Sequence, residues 1–190
     1  YGRTEDGGLT VSAESVVAVR PSPQWQLSFG PSYAREVDTQ QYVDTLTRGP
    51  AETLGRGYVF GHLDRSTVSA RIRLNYTFVP DLNLDFYAEP FAASGRYESL
   101  AVLTAPRTRI RTPVPLDALP SEDFEIRSFR SNLVLRWEWR PGSFLFLVWQ
   151  QNRSSEVVGR SRASFGDLLE SFGDRGDHFF AVKATLWRAR

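Results

Sequence analysis

The sequence predicts an all-β fold: the wall of an antiparallel, up-and-down transmembrane β-barrel, about seven or eight strands belonging to a larger barrel. Three observations carry this. Short and long connections alternate down the chain. The stretches between them alternate apolar and polar residues with period two. Tryptophans gather beside the short turns and the chain end.

Tight proline turns stand at Pro21-Ser22-Pro23, Pro80-Asp81 and Pro141-Gly142, while polar stretches occupy 47 to 56, 101 to 124 and 153 to 176. In an up-and-down sheet every second connection falls at the same end, and outer-membrane barrels have short periplasmic turns and long exterior loops. A soluble sandwich has no physical reason to sort its connections this way.

The strands are expected at 9 to 20, 24 to 46, 57 to 79, 82 to 100, 125 to 140, 143 to 152 and 177 to 188. Bacterial single-chain barrels have even strand numbers of eight or more, so about seven strands imply more wall upstream or one further strand. Leu9, Val11, Ala13, Val17 and Val19 pattern the first, and Trp25, Leu27, Phe29 and Tyr33 the second. The third is clearest, with Val68, Ala70, Ile72, Leu74, Tyr76 and Phe78 on one face and Thr67, Ser69, Arg71, Arg73, Asn75 and Thr77 on the other. Leu82, Leu84, Phe86 and Ala88, then Leu133, Leu135, Trp137 and Trp139, then Phe180, Val182, Ala184 and Leu186 continue the pattern.

A barrel strand crosses a bilayer in about 9 to 11 residues. The second and third strands overshoot that length, so Tyr42 to Leu46 and Gly57 to Leu63 are expected to form a hairpin projecting outside. Pro31 and Pro90 fall inside predicted strands and call for bulges or edge pairing. The stretch 101 to 124, with Pro106, Pro113, Pro115 and Pro120, reads as an irregular loop, and Ser164 to Glu170 as one or two helical turns. Trp25, Trp137, Trp139 and Trp187 lie close to a short turn or the chain end, which places them on one rim, as an aromatic girdle would be.

Composition limits the alternatives. The chain is 41% hydrophobic and 24% charged with net charge +1, and it has no apolar run long enough for a membrane helix. Its mean hydropathy of −0.34 fits a barrel wall as well as a soluble protein, because only one face of each strand is apolar. Cysteine is absent, which removes disulfides, thiolate metal sites and cysteine nucleophiles. Lys183 and the arginines are nearly balanced by acids without a block of one sign, so no nucleic-acid partner is expected. The chain lacks methionine and opens on polar Tyr1-Gly2-Arg3-Thr4-Glu5-Asp6, so residues 1–190 are read as a piece of a longer protein.

The polar faces are expected to line the lumen, with Arg71, Arg73, Glu89, Arg136 and Glu138 as candidate lumen or ligand residues. The Pro80-Asp81 hairpin places Glu89 opposite Arg73 in one register and Arg71 in the other. Such charges most simply brace the wall. His62 and His178 have no partner at zinc-ligand spacing, and no nucleophile elbow, phosphate loop or metalloprotease motif occurs. No metal, cofactor or catalytic site is therefore expected. Arg175-Gly176-Asp177 and the sequons at Asn75 and Asn152 read as chance matches, and Asp167, Glu170, Asp174 and Asp177 as a solvated acidic loop that fits no calcium-loop spacing.

Several strings carry a family resemblance: Tyr58-Val59-Phe60-Gly61-His62-Leu63-Asp64, Leu74-Asn75-Tyr76-Thr77-Phe78-Val79-Pro80-Asp81-Leu82 and Tyr87-Ala88-Glu89-Pro90-Phe91. Phe129-Arg130-Ser131-Asn132-Leu133-Val134-Leu135-Arg136-Trp137-Glu138-Trp139-Arg140-Pro141-Gly142-Ser143 and Phe146-Leu147-Val148-Trp149-Gln150-Gln151 extend it. Together they resemble the C-terminal barrel portion of an uncharacterised, DUF5916-like bacterial outer-membrane family, whose full-length members carry an N-terminal carbohydrate-binding module of family 9 type. The resemblance covers most of residues 25 to 188. It implies a bacterial outer-membrane location, contact with lipid, partner strands and an N-terminal module upstream, and glycan handling by that module. It carries over no catalytic residue. The chain departs from the usual terminal aromatic strand by ending Leu186-Trp187-Arg188-Ala189-Arg190.

The leading expectation is a structural or transport segment of an outer-membrane barrel that is not itself an enzyme. Two others stand beside it: a soluble β-barrel or sandwich binding a small ligand, and an outer-membrane enzyme with its site outside this segment. Between the first two, Val68, Ile72 and Leu74 decide by facing lipid or a soluble core.

Overall fold

The computed structural model describes residues 1–3, 7–118, 123–156 and 162–188 as one open antiparallel sheet. Its strands are β1 (Gly2–Arg3), β2 (Leu9–Glu14), β3 (Val17–Val19), β4 (Trp25–Leu46), β5 (Gly57–Val79), β6 (Leu82–Leu103), β7 (Arg111–Val114), β8 (Phe124–Arg140), β9 (Ser143–Glu156) and β10 (Gly176–Thr185). The spatial order is β1-β2-β4-β5-β6-β8-β9-β10, with β3 beside β4 and β7 beside β6. The expected antiparallel order is present, and β10 pairs with β9 alone among the described residues.

Three short turns share one end of the sheet, and the long connections share the other. Trp25 opens β4, Trp137 and Trp139 close β8, and Trp187 follows β10, so all four stand at the short-turn end. Gly142 turns the β8–β9 corner at φ +75°, and a Cβ there would stand 3.1 Å from that of Trp187. The indole thus packs over the turn. At the other end, Tyr42 pairs with Phe60 and Leu46 with Gly57, completing the expected long hairpin.

Proline explains two departures from a regular sheet. The first expected strand is split into β2 and β3 at Ser15 and Val16, where Ser15 N–H donates to the Pro31 carbonyl at 3.2 Å. Pro31 has no N–H to return, so the ladder breaks at the edge. Likewise the β5–β6 pairing resumes at Ser69 and Phe91 after Ile72 and Ala88, skipping Ala70 and Arg71, alongside Pro90.

The stretch 101 to 124 is more ordered than its prolines suggest. β6 continues to Leu103, and β7 folds back on it with Leu100 opposite Val114 and Leu103 opposite Arg111. Pro113 is tolerated because, among the described residues, β7 pairs on one side only. Pro120 lies outside the described residues.

Pairing across the sheet sorts the side chains into an apolar and a polar face. Trp25, Leu27 and Phe29 lie opposite Tyr76, Leu74 and Ile72, in line with Phe86, Leu133, Leu135, Trp149 and Phe180. Much of this stripe is open: Phe29 is 44% exposed, Trp137 47%, Phe180 69% and Val182 71%.

The same face changes character farther from the short turns. Val68 and Ala70 were expected within the open stripe, yet they are 1% and 3% exposed. The helix α1 (Phe165–Ser171) lies on them, packing Leu168 and the preceding Ala163 against Val68, Ala70 and Ala92 with Tyr33 alongside. Period two identifies a face but not what covers it.

Candidate functional site

The polar face is densest along β5, β6 and β8. Successive cross-strand pairs there are Thr77 with Asn83, Asn75 with Asp85, and Arg73 with Tyr87. The same register, unshifted between Ile72 opposite Ala88 and Ser69 opposite Phe91, sets Arg71 opposite Glu89. Of the two expected registers the Arg71 one is realised, and Arg73 faces a tyrosine instead. Arg130 flanks Glu89 on its other side, and Arg136 pairs across from Asn83.

Cross-strand position and bonding differ at these charges. Arg71 bonds Glu14 on β2 rather than Glu89. Glu89 accepts a hydrogen bond from the Tyr87 hydroxyl at 2.9 Å, and the Arg73 guanidinium stands 5.3 Å from the Tyr87 ring centre. Arg136 stands 5.3 Å from the ring centre of Phe144, and Glu138 accepts the Gly142 N–H at 2.9 Å, which fastens the short turn. Arg71 is braced by Glu14 in place of the expected Glu89, whereas Arg73 and Arg136 use aromatic faces and Glu138 a backbone donor. Sequence parity fixed the face of each residue but could not foresee Glu14, whose strand reaches Arg71 only through tertiary pairing.

Two recesses open on this face and share Arg73. One, of about 350 Å³, is lined by Arg73, Asn75, Asp85, Tyr87, Asn132 and Val134. The other, of about 270 Å³, lies against Ser28, Gly30, Arg71 and Arg73. Asn75 donates to Asp85, and the buried Asn132 Oδ1 accepts no hydrogen bond among the described residues. The larger recess therefore mixes donors, acceptors, a cation and an aromatic wall. It suits hydrogen bonding to a polar solute. Among the described residues no group of His, Asp and Glu converges as a metal site.

His178 lies on the opposite face, where its Nδ1 accepts the Trp149 indole N–H at 3.2 Å, and His62 Nε2 is 3.8 Å from Glu98.

A second polar cluster, not anticipated from sequence, fastens α1 to the apolar face beyond the open stripe. Arg35 grips Asp64 through two hydrogen bonds, and Arg162 reaches the same carboxylate at 3.2 Å. The Arg35 bonds hold the Asp64 carboxyl below its usual pKa, with Arg162 adding to the effect and burial opposing it. Ser66 hydroxyl lies 3.0 Å from that of Ser94 and accepts the Ala163 N–H at 2.8 Å.

At the other end of the helix Arg127 bonds both Glu170 and Asp174, the latter at 3.0 Å, while Arg153 donates to the carbonyls of Phe172 and Asp174. Asp167 accepts from the Ser164 N–H at 2.7 Å and so caps the helix start. The acidic loop is thus engaged at three of its four carboxylates, a correction to the solvated reading. Its signal in the sequence was faint: Asp64, Ser66 and Ser94 sit at apolar-face parity where a lipid stripe would carry bulky residues.

A family model described as a domain of unknown function, DUF5916, matches residues 3–187. No curated protein and no solved structure matches the chain.

Proposed function

We propose that this chain, which belongs to the DUF5916 family, is a stretch of bacterial outer-membrane β-barrel wall with a structural or transport role and no chemistry of its own. The observation that carries the reading is the open apolar stripe on a sheet whose opposite face is charged and amide-rich. In water, a contiguous patch containing Leu27, Phe29, Trp137, Phe180 and Val182 is an association hazard; in lipid it is the required surface.

Dimensions agree. From the Pro80 turn to Ile72 the stripe runs about nine residues, roughly 30 Å along the strand, and a tilted strand of that length spans an apolar band about 25 Å tall. The tryptophans at the short-turn end fit one interfacial girdle, on the periplasmic side.

The open edges support upstream strands of the same protein as partners. An unpaired edge in hydrocarbon leaves backbone groups unsatisfied at several kcal/mol each, and among the described residues β10 offers such an edge along Gly176–Thr185. The polar face then lines a lumen, with the recess around Arg73 and Tyr87 as its solute contact. Glycans are the proposed cargo or ligand class, through an N-terminal carbohydrate-binding module.

The test is assembly of the full-length protein. Heat-modifiable gel mobility in outer-membrane fractions is expected for the unaltered protein and lost for Leu74→Arg. A detergent-free, monomeric, folded protein recovered from the aqueous fraction would overturn the reading.

A further inference from the structure

We infer that α1 is an interfacial anchor, setting Phe165 and Leu169 into the boundary between headgroups and acyl chains of the membrane that the apolar stripe spans; this rests on the barrel reading above. The helix lies on the same face as the stripe, over Val68, Ala70 and Ala92, directly beyond the row of exposed Phe29 and half-buried Ile72. Lipid that meets Phe29 meets the helix next.

The helix has two different sides. Leu168, Asp167 and Ser171 are buried against the wall, whereas Phe165 is 56% and Leu169 72% exposed. Phe165, Leu169 and Phe172 recur at spacings of four and three, so they form one ridge. At about 100° per residue that ridge lies roughly a third of a turn from the buried side. Phe172 leans on Phe129, with ring centres 4.5 Å apart, which leaves Phe165 and Leu169 as the outward pair.

An isolated helix this short is unstable in water. Its shape is held by its own Ser164–Asp167 cap at one end and by the wall's Arg127 and Arg153 bonds at the other. The ridge is therefore held out rigidly, on the lipid-facing side and at the edge of the hydrocarbon, where an apolar helix flank gains by burial.

The chain contains no cysteine, so a single introduced one reports a single position. In the full-length protein, with any cysteine elsewhere replaced, Leu169→Cys, Leu27→Cys and Leu116→Cys would each carry a nitroxide after reconstitution into phospholipid bilayers. Collision with oxygen is compared with collision with a water-soluble nickel chelate. The expected result is Leu27 in hydrocarbon, Leu116 in water, and Leu169 at shallow depth with oxygen favoured severalfold over its ratio at Leu116. A Leu169 label as open to nickel as Leu116, with Leu27 still in lipid, overturns the anchor and leaves the barrel standing. A label shielded from both reagents means a protein covers the ridge and also overturns it. All three labels in water remove the barrel reading itself, and the anchor with it.

Discussion

Arg35 on β4 and Asp64 on β5 hold each other in a fork, Nε to Oδ1 at 2.9 Å and Nη2 to Oδ2 at 2.8 Å. They are not directly opposed, since Arg35 faces Ser66 and Asp64 faces Val37. The pair is diagonal, and the 9% exposed Asp64 side chain also receives Arg162 from the segment leading into α1. One carboxylate thus ties two strands to the helix.

Asp64→Asn is expected to loosen that tie by about 1 to 2 kcal/mol, the range for a charge-assisted bond reduced because Arg35 is partly exposed. The sign with pH follows from the depressed Asp64 pKa. Its contribution is complete above the ordinary carboxylate value of 3.8 and is lost as pH falls below it through the folded value. Limited proteolysis of the segment around α1 in the refolded full-length protein should rise in that acidic window, and Asp64→Asn should flatten this pH dependence.

Leu168→Ala tests whether packing or polar bonding seats the helix. Leu168 is 5% exposed and meets Val68, Ala70 and Ala92, so truncation should cost about 2 to 3 kcal/mol of docking. Faster cleavage near α1, with the heat-modifiable band intact, is the expected outcome. Unchanged cleavage would assign the docking to the Arg127 and Asp64 bonds instead.

Arg73 and Tyr87 supply a test of the polar face. Their stacking is expected to couple by about 0.5 to 1 kcal/mol in a double-mutant cycle of Arg73→Gln and Tyr87→Leu, read from urea unfolding in detergent. Tyr87→Phe alone should cost about 1 kcal/mol, because the Glu89 carboxylate loses its hydroxyl donor. A coupling of zero would mean that solvent, rather than the ring, satisfies the guanidinium.

The strand bodies and turns were legible because both rest on local physics: alternation along Thr67 to Phe78, and prolines that cannot donate at Pro21, Pro80 and Pro141. The helix at Phe165–Ser171 was also locally encoded, by Ser164 followed three residues later by Asp167. What failed was long-range. Arg71 finds Glu14, and Ala70 is covered by Leu168, through contacts spanning 57 residues in the first case. A two-residue hairpin likewise does not distinguish Arg71 from Arg73 as the residue opposite Glu89, a choice made by the register that pairs Ile72 with Ala88.

The cover over Ala70 changes what an arginine scan of the stripe should report. Tyr76 lies midway along the stripe between Ile72 and the Pro80 turn, and arginine there faces mid-bilayer, where the expected cost is about 2 to 4 kcal/mol. Phe78 is near the short turn and 42% exposed, so Phe78→Arg should lose only about 0 to 1 kcal/mol as the guanidinium reaches the interface. Depth alone would place Ala70→Arg near the opposite interface and make it mild. Its 3% exposure beneath Leu168 says otherwise: a guanidinium there must expel the helix or remain buried without a partner. The scan should therefore be severe at Tyr76, mild at Phe78 and severe again at Ala70, with only Ala70→Arg opening the α1 segment to protease. A smooth decline in cost from Tyr76 to Ala70, with α1 still protected, would show that the helix does not rest on the wall in the assembled protein.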